Sequence, residues 1–296
     1  MNLFMVLMFL SILIIGTMMT LLSSHWLLAW MGLEINTFAI IPLMIQNNHP
    51  RALEATLKYF IIQVTAATMI LFSSTLNAWL LDHWDIQQTM HLIPLTVMTI
   101  ALALKLGLAP IHTWYPEVLQ GMDLKMGSIL STWQKLAPLA LFIQVSRDYS
   151  ILYIILGLMS ILVGGWGGLN QTQLRKMLAY SSIAHLGWII IIIHYTPSIA
   201  CLTFLIYIFM TLTLFFTFHF MSTTSINSLA TSWIKAPFLN SIIPITFFSL
   251  AGLPPFTGFI SKWFIINELT KQNLMLIATI AVLSALLSLF FYLRIS

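Results

Sequence analysis

Ten apolar runs, near 3–23, 25–45, 57–81, 91–120, 125–145, 150–169, 174–194, 198–220, 238–270 and 274–294, take up almost all of this 296-residue chain. Each reaches the length of about 20 residues that a helix needs to cross a hydrocarbon layer about 30 Å thick. With 59% of residues hydrophobic and 7% charged, the chain lacks the charge that the surface of a water-soluble domain of this size requires. The fold class expected is therefore an all-α polytopic membrane protein with about ten transmembrane helices.

Two runs are too long for a single straight crossing. As helices, 91–120 and 238–270 would measure about 45 to 50 Å at 1.5 Å per residue. Each carries the same interruption, Gly107-Leu108-Ala109-Pro110 in the first and Gly252-Leu253-Pro254-Pro255 in the second. Proline removes a backbone donor and clashes with the preceding turn, so such a break persists at membrane depth only where protein or water satisfies the freed carbonyls. The economical reading is a discontinuous helix crossing once in each run, with two re-entrant pieces as the alternative. The broken runs are fourth and ninth in order, which divides the chain into two five-helix units, residues 1–147 and 148–296 of one membrane domain. Five is odd, so the second unit starts on the opposite side of the membrane and the repeat is inverted. That architecture recurs in transporters, with the ion site near the repeat interface.

Charge placement sets an orientation. With the N-terminus on one side, that side carries Arg51, Lys58, Lys125, Arg175, Lys176, Lys235 and Arg294, whereas the other has Arg147 and Lys271 beside Asp82 and Asp85. The positive-inside rule makes the first side cytoplasm-like, which in a mitochondrion is the matrix. The first charged residue is Glu34, so the N-terminus shows neither the n-region of a secretory signal nor the Arg-rich pattern of a transit peptide, and the first run is expected to be a retained helix. Either that helix directs insertion or the protein is made where it resides. The net charge of +4 is spread over loops, which argues against a nucleic-acid partner. One cysteine, Cys201, excludes an internal disulfide framework and a Cys-based zinc or iron–sulfur site.

Four charges fall inside apolar runs. Glu34 lies ten residues into the second, Lys135 midway through the fifth, and Lys105 and Lys262 flank the two breaks. A charge at the centre of a helix costs roughly 2.5 to 3.5 kcal/mol on insertion scales, so four together point to a purpose. A structural ion pair or a snorkelling lysine is the plainer explanation; a proton relay is the sharper one. Desolvation loosens a lysine's hold on its proton and a nearby carboxylate restores it, so a glutamate and several lysines form a switchable chain. His112, just past the first break, and His185, in the seventh run, add groups that titrate near neutrality, although a hydrogen-bonded packing role serves a single histidine equally well.

The remaining motifs carry less. Glu117, Asp123 and Lys125 sit at a helix end where solvated ion pairing accounts for them, and Arg175 and Lys176 read as topological anchors. The run Gly164-Gly165-Trp166-Gly167-Gly168 follows no strand and contains no Walker lysine, which leaves close helix packing or a turn rather than a phosphate loop. No Ser-His-Asp arrangement and no metal-ligand spacing stands out.

Taken in order, Trp30-Met31-Gly32-Leu33-Glu34, Glu54 to Phe60, Lys105 to His112, Trp114 to Val118, Thr132-Trp133-Gln134-Lys135, Gly167 to Thr172, Ala179 to His185 and Gly252 to Lys262 resemble the subunit-2 family of mitochondrial NADH:ubiquinone oxidoreductase, respiratory complex I. The resemblance runs through nearly the whole chain. It implies an antiporter-like subunit of the membrane arm, related to cation/proton antiporters, mitochondrially encoded and seated in the inner membrane among other complex I subunits and phospholipids. It further implies that Glu34, Lys105, Lys135 and Lys262 occupy the family's proposed proton-transfer positions, and that His112 and His185 lie along its hydrated axis. NADH, flavin, the iron–sulfur clusters and most of the ubiquinone site would then belong to other subunits, with no cofactor or metal in this chain. Vertebrate-like members usually continue with another helix beyond the tenth crossing, so this chain, ending at Ser296, is either incomplete or shortened there, with both five-helix units whole. A stand-alone antiporter, which would exchange ions without partners, and a structural scaffold, which would tolerate neutralising the buried charges, are the competing functions.

Overall fold

In lipid the backbone must satisfy itself, and the long apolar runs do so as helices. The computed structural model describes residues 3–45, 49–86, 88, 90–145, 150–234 and 236–295, and Arg147, Lys235 and the 147/148 unit boundary lie outside them. In chain order the helices are α1 Leu3–Leu22, α2 Trp26–Met44, α3 Pro50–Leu81, α4 Leu92–Leu106, α5 Trp114–Gly121, α6 Leu124–Ser131, α7 Trp133–Val145, α8 Ser150–Gly168, α9 Leu174–Ile193, α10 Pro197–Met221, α11 Ile226–Thr231, α12 Pro237–Ala251, α13 Thr257–Lys271 and α14 Met275–Ile295, with a 3-10 turn at Ser232–Ile234. Among the described residues seven helices, α1, α2, α3, α8, α9, α10 and α14, are long and apolar enough to span a membrane. The other three apolar runs are occupied by the pairs α4 with α5, α6 with α7, and α12 with α13.

Both anticipated interruptions are present. α4 ends at Gly107 with φ 75° and α12 at Gly252 with φ 78°, left-handed conformations that glycine adopts without the penalty a Cβ brings. The fifth run differs from the expectation of one continuous helix, because α6 and α7 are separate pieces meeting at Thr132 (φ −116°, ψ −68°). Two local causes act there. The Thr132 hydroxyl back-bonds to the Ser128 carbonyl at 2.7 Å, and Pro138, one turn into α7, offers no N–H to residue 134 and crowds its carbonyl. Lys135 therefore stands beside a third interruption rather than in mid-helix. α3 also starts earlier than its apolar run, because Pro50 follows a His49 cap, whose ring accepts the Arg51 N–H at 3.2 Å. Its 32 residues reach about 48 Å.

The ends of α3 and α10 are built alike. α3 stops at Asp82 (φ 56°) and α10 at Ser222 (φ 53°), both left-handed. The segment after α3 bridges to the α1–α2 connection at His25 and Asp85, with Trp26 N–H donating to the Trp84 carbonyl at 3.1 Å. The segment after α10 bridges to the α8–α9 connection at Gln173 and Ser225, with Leu174 N–H donating to the Thr224 carbonyl at 3.1 Å.

Helix α9 runs through the centre of the bundle, with nearly every residue from Leu178 to Ile193 buried, against α8, α5, α10 and α13. The glycine run at the end of α8 permits a close approach to α9, since a Cβ at Gly164 would meet the Ala184 backbone N at 2.7 Å. Polarity is inverted relative to a water-soluble protein. Asn36, Gln63, Ser73, Asn77, Ser182 and Asn240 are buried, whereas Phe209, Phe220 and Leu283 face outward. Many of the buried hydroxyls donate to the carbonyl three residues earlier in their own helix, as Ser73 and Ser182 do.

Candidate functional site

The buried charges converge where the helices are interrupted. Lys105, in the last turn of α4, is 6% exposed, and its Nζ has no hydrogen-bond partner among the described residues. The carbonyl of Lys105 accepts from Gln63 Nε2 at 3.5 Å. Glu34 of α2 accepts from the Thr37 hydroxyl at 3.3 Å. No direct ion pair joins Glu34 to Lys105 among the described residues.

Lys135, 2% exposed, shares a cavity with Lys105 that is also lined by Asn36, Tyr59, Gln63 and Gln134. About 20 Å³ of it is open to the centre of a water-sized sphere, room for about one water by the usual threshold of about 10 to 15 Å³. The Lys135 Nζ donates to the Tyr207 hydroxyl at 3.2 Å and lies 4.8 Å from the centre of the Tyr115 ring and 5.1 Å from that of Tyr207. Two aromatic faces thus hold the ammonium without neutralising it.

A second cavity, about 30 Å³ by the same measure, is lined by His185, Tyr207, Thr203, Ser249, Ser261 and Lys262. Lys262 reaches back from α13 and donates to the carbonyls of Ala251 at 2.7 Å and Leu250 at 3.3 Å. Those carbonyls end α12 and carry the negative end of its dipole, so the lysine compensates for the break. Its position depends on Gly252, where a Cβ would meet Lys262 Cδ at 2.8 Å and Nζ at 3.1 Å. At Gly107 a Cβ would meet Tyr115 and Trp114 and no lysine. We expect Gly252→Ala and Gly107→Ala to strain the backbone to a similar degree, about 1 to 2 kcal/mol, while only Gly252→Ala dislodges a lysine. Thermal melting of the assembled protein should drop in both, and turnover per assembled molecule only in Gly252→Ala; a parallel turnover loss in both would detach Lys262 from activity.

Four of the six residues singled out from sequence, Lys105, Lys135, His185 and Lys262, thus line these two cavities, and Glu34 bonds to Thr37 on the wall of the first. His112 lines neither. It stands half-buried in the first break, with Nδ1 3.2 Å from the Pro110 carbonyl and its ring against Tyr180. The residue that sequence reasoning passed over is Tyr207, which touches Lys135 and packs edge-to-face on His185 with ring centres 5.6 Å apart. Its signal was position: interfacial tyrosines sit at helix ends, whereas Tyr207 lies mid-way along the 25-residue α10.

The solvated charges collect away from this axis. Lys58 pairs with Glu54 and Glu117 at 2.8 Å each, Arg175 donates to the Met122 carbonyl, and Arg294 donates to the Leu169 carbonyl at 2.9 Å. Among the described residues no group of three His, Cys, Asp or Glu side chains could hold a metal ion, and Cys201 is exposed. What the axis offers chemically is a set of proton-holding groups, amines, a phenol and an imidazole, with room for water between them.

Comparison with known proteins gives one consistent picture. A family described as NADH:quinone oxidoreductase/Mrp antiporter, TM matches residues 23–288. NADH-ubiquinone oxidoreductase chain 2 of Tetraodon nigroviridis is 61% identical over 284 residues, covering 96% of this chain and 82% of the relative. The same-named chain of Salmo salar is 60% identical over 296 residues, covering 100% and 85%. Among solved structures, a chain of respiratory complex I from Thermus thermophilus with bound aureothin superposes with a TM-score of 0.91 at 25% identity, over 99% of this chain and 70% of that one.

Proposed function

We propose, from the premise that this chain belongs to the NADH:quinone oxidoreductase/Mrp antiporter transmembrane family, that it is the chain 2 subunit of a respiratory complex I and takes part in moving protons across the membrane. Electron transfer from NADH to ubiquinone supplies the drive. The observation that carries this reading is the set of basic groups, Lys105 and Lys135 buried and His185 and Lys262 partly buried, arranged in two water-sized cavities joined by Tyr207. A lipid-embedded bundle bears the cost of burying such groups only where they act. Glu34 bonds to Thr37 on the wall of the cavity that holds Lys105, which makes that end the natural input of an electrostatic signal.

The division into two inverted five-helix units is part of the proposal. It is supported by the paired breaks at Gly107 and Gly252 and by the like-built ends of α3 and α10. The relay at the heart of the bundle then lies where such units meet. The mitochondrial inner membrane is the expected location, with the N-terminus on the matrix side, where Arg51, Lys58, Arg175, Lys176 and Arg294 would anchor the helix ends. Flavin, iron–sulfur clusters and ubiquinone are assigned to partner subunits. Moving one proton against roughly 200 mV costs about 4.6 kcal/mol, and with the redox groups in partner subunits the energy arrives through contacts with neighbours.

The first test is gentle extraction followed by native separation, with the chain identified by mass and NADH oxidation stained in the gel. Co-migration with a very large NADH-oxidising assembly is the expected result. Migration as a small particle, under conditions that keep a known complex I intact, would instead assign the chain to free cation/proton exchange.

A further inference from the structure

The two cavities share no lining residue, and one side chain contacts both sets. Tyr207 is 2% exposed and lines the cavity that holds His185 and Lys262, while its hydroxyl accepts a hydrogen bond from Lys135, which lines the other. That hydroxyl spends its own proton on the Ser131 carbonyl at 3.3 Å. Ser131 can accept because of the α6–α7 interruption: the Lys135 N–H that would close a regular helical turn onto Ser131 goes to the Thr132 carbonyl at 3.3 Å instead. The break thus creates an acceptor, and Tyr207 is parked on it. Its ring stays packed against Phe204 and His185, with centres 6.1 Å and 5.6 Å away, so the C–O bond axis is fixed and only the O–H can turn.

We propose that Tyr207 is the switchable link between the two cavities, closed while its hydroxyl donates to Ser131 and open when it turns toward the His185 side. This rests on the proton-relay reading and adds the element that gates it. In the open state one N–H bond of the Lys135 ammonium breaks as the phenol oxygen takes that proton. The phenol's original O–H bond breaks in the same step, its proton passing to a water in the second cavity, which yields one of its own to a ring nitrogen of His185. The balance is a neutral Lys135, an unchanged tyrosine and water, and a protonated His185: one proton crosses with no net chemistry on Tyr207. In the closed state the hydroxyl has no proton to pass forward, and the two halves of the axis load independently. A phenol suits this because its hydroxyl both accepts and donates, which neither an ammonium nor a phenyl ring can do.

The test is Tyr207→Phe in the assembled complex, which keeps the ring and its packing and deletes the hydroxyl. NADH oxidation by an artificial acceptor, normalised to flavin, reports the intact NADH site; quinone-linked turnover on the same scale reports the relay. The expectation is a fall of about tenfold or more in quinone-linked turnover with artificial-acceptor activity unchanged. Near-normal turnover in Tyr207→Phe beside a clear loss in Lys135→Ala would discard the link and leave the relay standing. Near-normal turnover in both would discard the relay and the link together. Should Tyr207→Phe fail to assemble, ordered waters in the unmodified complex decide. Density that stops on either side of the Tyr207 hydroxyl supports the link, and a continuous water chain that bypasses it overturns the proposal.

Discussion

In an assembled complex, Lys135→Ala is expected to lower quinone-linked turnover about a hundredfold, the lower range for loss of a positioned proton-transfer group, with the amount of assembled protein close to normal. The second half of that statement follows from its surroundings. Lys135 is buried with no carboxylate against it, held by a phenol hydroxyl and two ring faces. Removing a buried charge strands a counter-charge only when one is present, and here none is in contact among the described residues; the Tyr207 hydroxyl retains Ser131 as acceptor. A scaffold role would predict little change in turnover from this substitution. Glu34→Gln, which keeps the Thr37 contact geometry and removes the charge, should reproduce the defect in milder form. Normal turnover in both variants, measured per assembled complex, would remove the buried charges from the mechanism.

A comparably large effect, on assembly rather than turnover, is expected for Gly258→Ala. In the first turn of α13, a Cβ at this position would run into the backbone carbonyl of Ser249 on α12. Neither element can yield by rotating a side chain, because the obstacle is main chain. The two half-helices must part, and with them the Lys262 contacts to Leu250 and Ala251 one turn further on. Overpacking of this kind costs about 1 to 3 kcal/mol and more where backbone blocks relaxation. The protein should accumulate poorly, and whatever assembles should lose activity at a lower temperature than the parent. A Gly258→Ala protein with parental yield and parental thermal midpoint would mean that α12 and α13 do not approach this closely.

How much of this was legible in advance differs by level. The membrane environment, the order of the apolar runs and the two Gly-Leu-x-Pro breaks could be read directly, because hydrophobic run length and proline chemistry are local properties. Glu34, Lys105, Lys135 and Lys262 could be singled out for the same reason, since a charge in an apolar run is conspicuous whatever surrounds it. The interruption at Thr132 was less visible. Ser131, Thr132 and Pro138 are each tolerated within a transmembrane helix, and the break comes from their acting together beside a tyrosine that takes the released carbonyl.

Tyr207 marks the limit most clearly. In the chain it is one aromatic among many, 72 positions from Lys135, and nothing in residues 198–220 distinguishes a packing tyrosine from a connecting one except its depth. By itself the sequence determined that the chain is a helical membrane protein with broken fourth and ninth runs and with charges inside apolar runs, since hydrophobicity, backbone geometry and desolvation act residue by residue. Only the tertiary structure decided that Lys105 and Lys135 share one cavity, that His185 and Lys262 share another, that His112 joins neither, and that a phenol stands between the two. Those relations depend on which helix faces which, and packing between distant segments sets them.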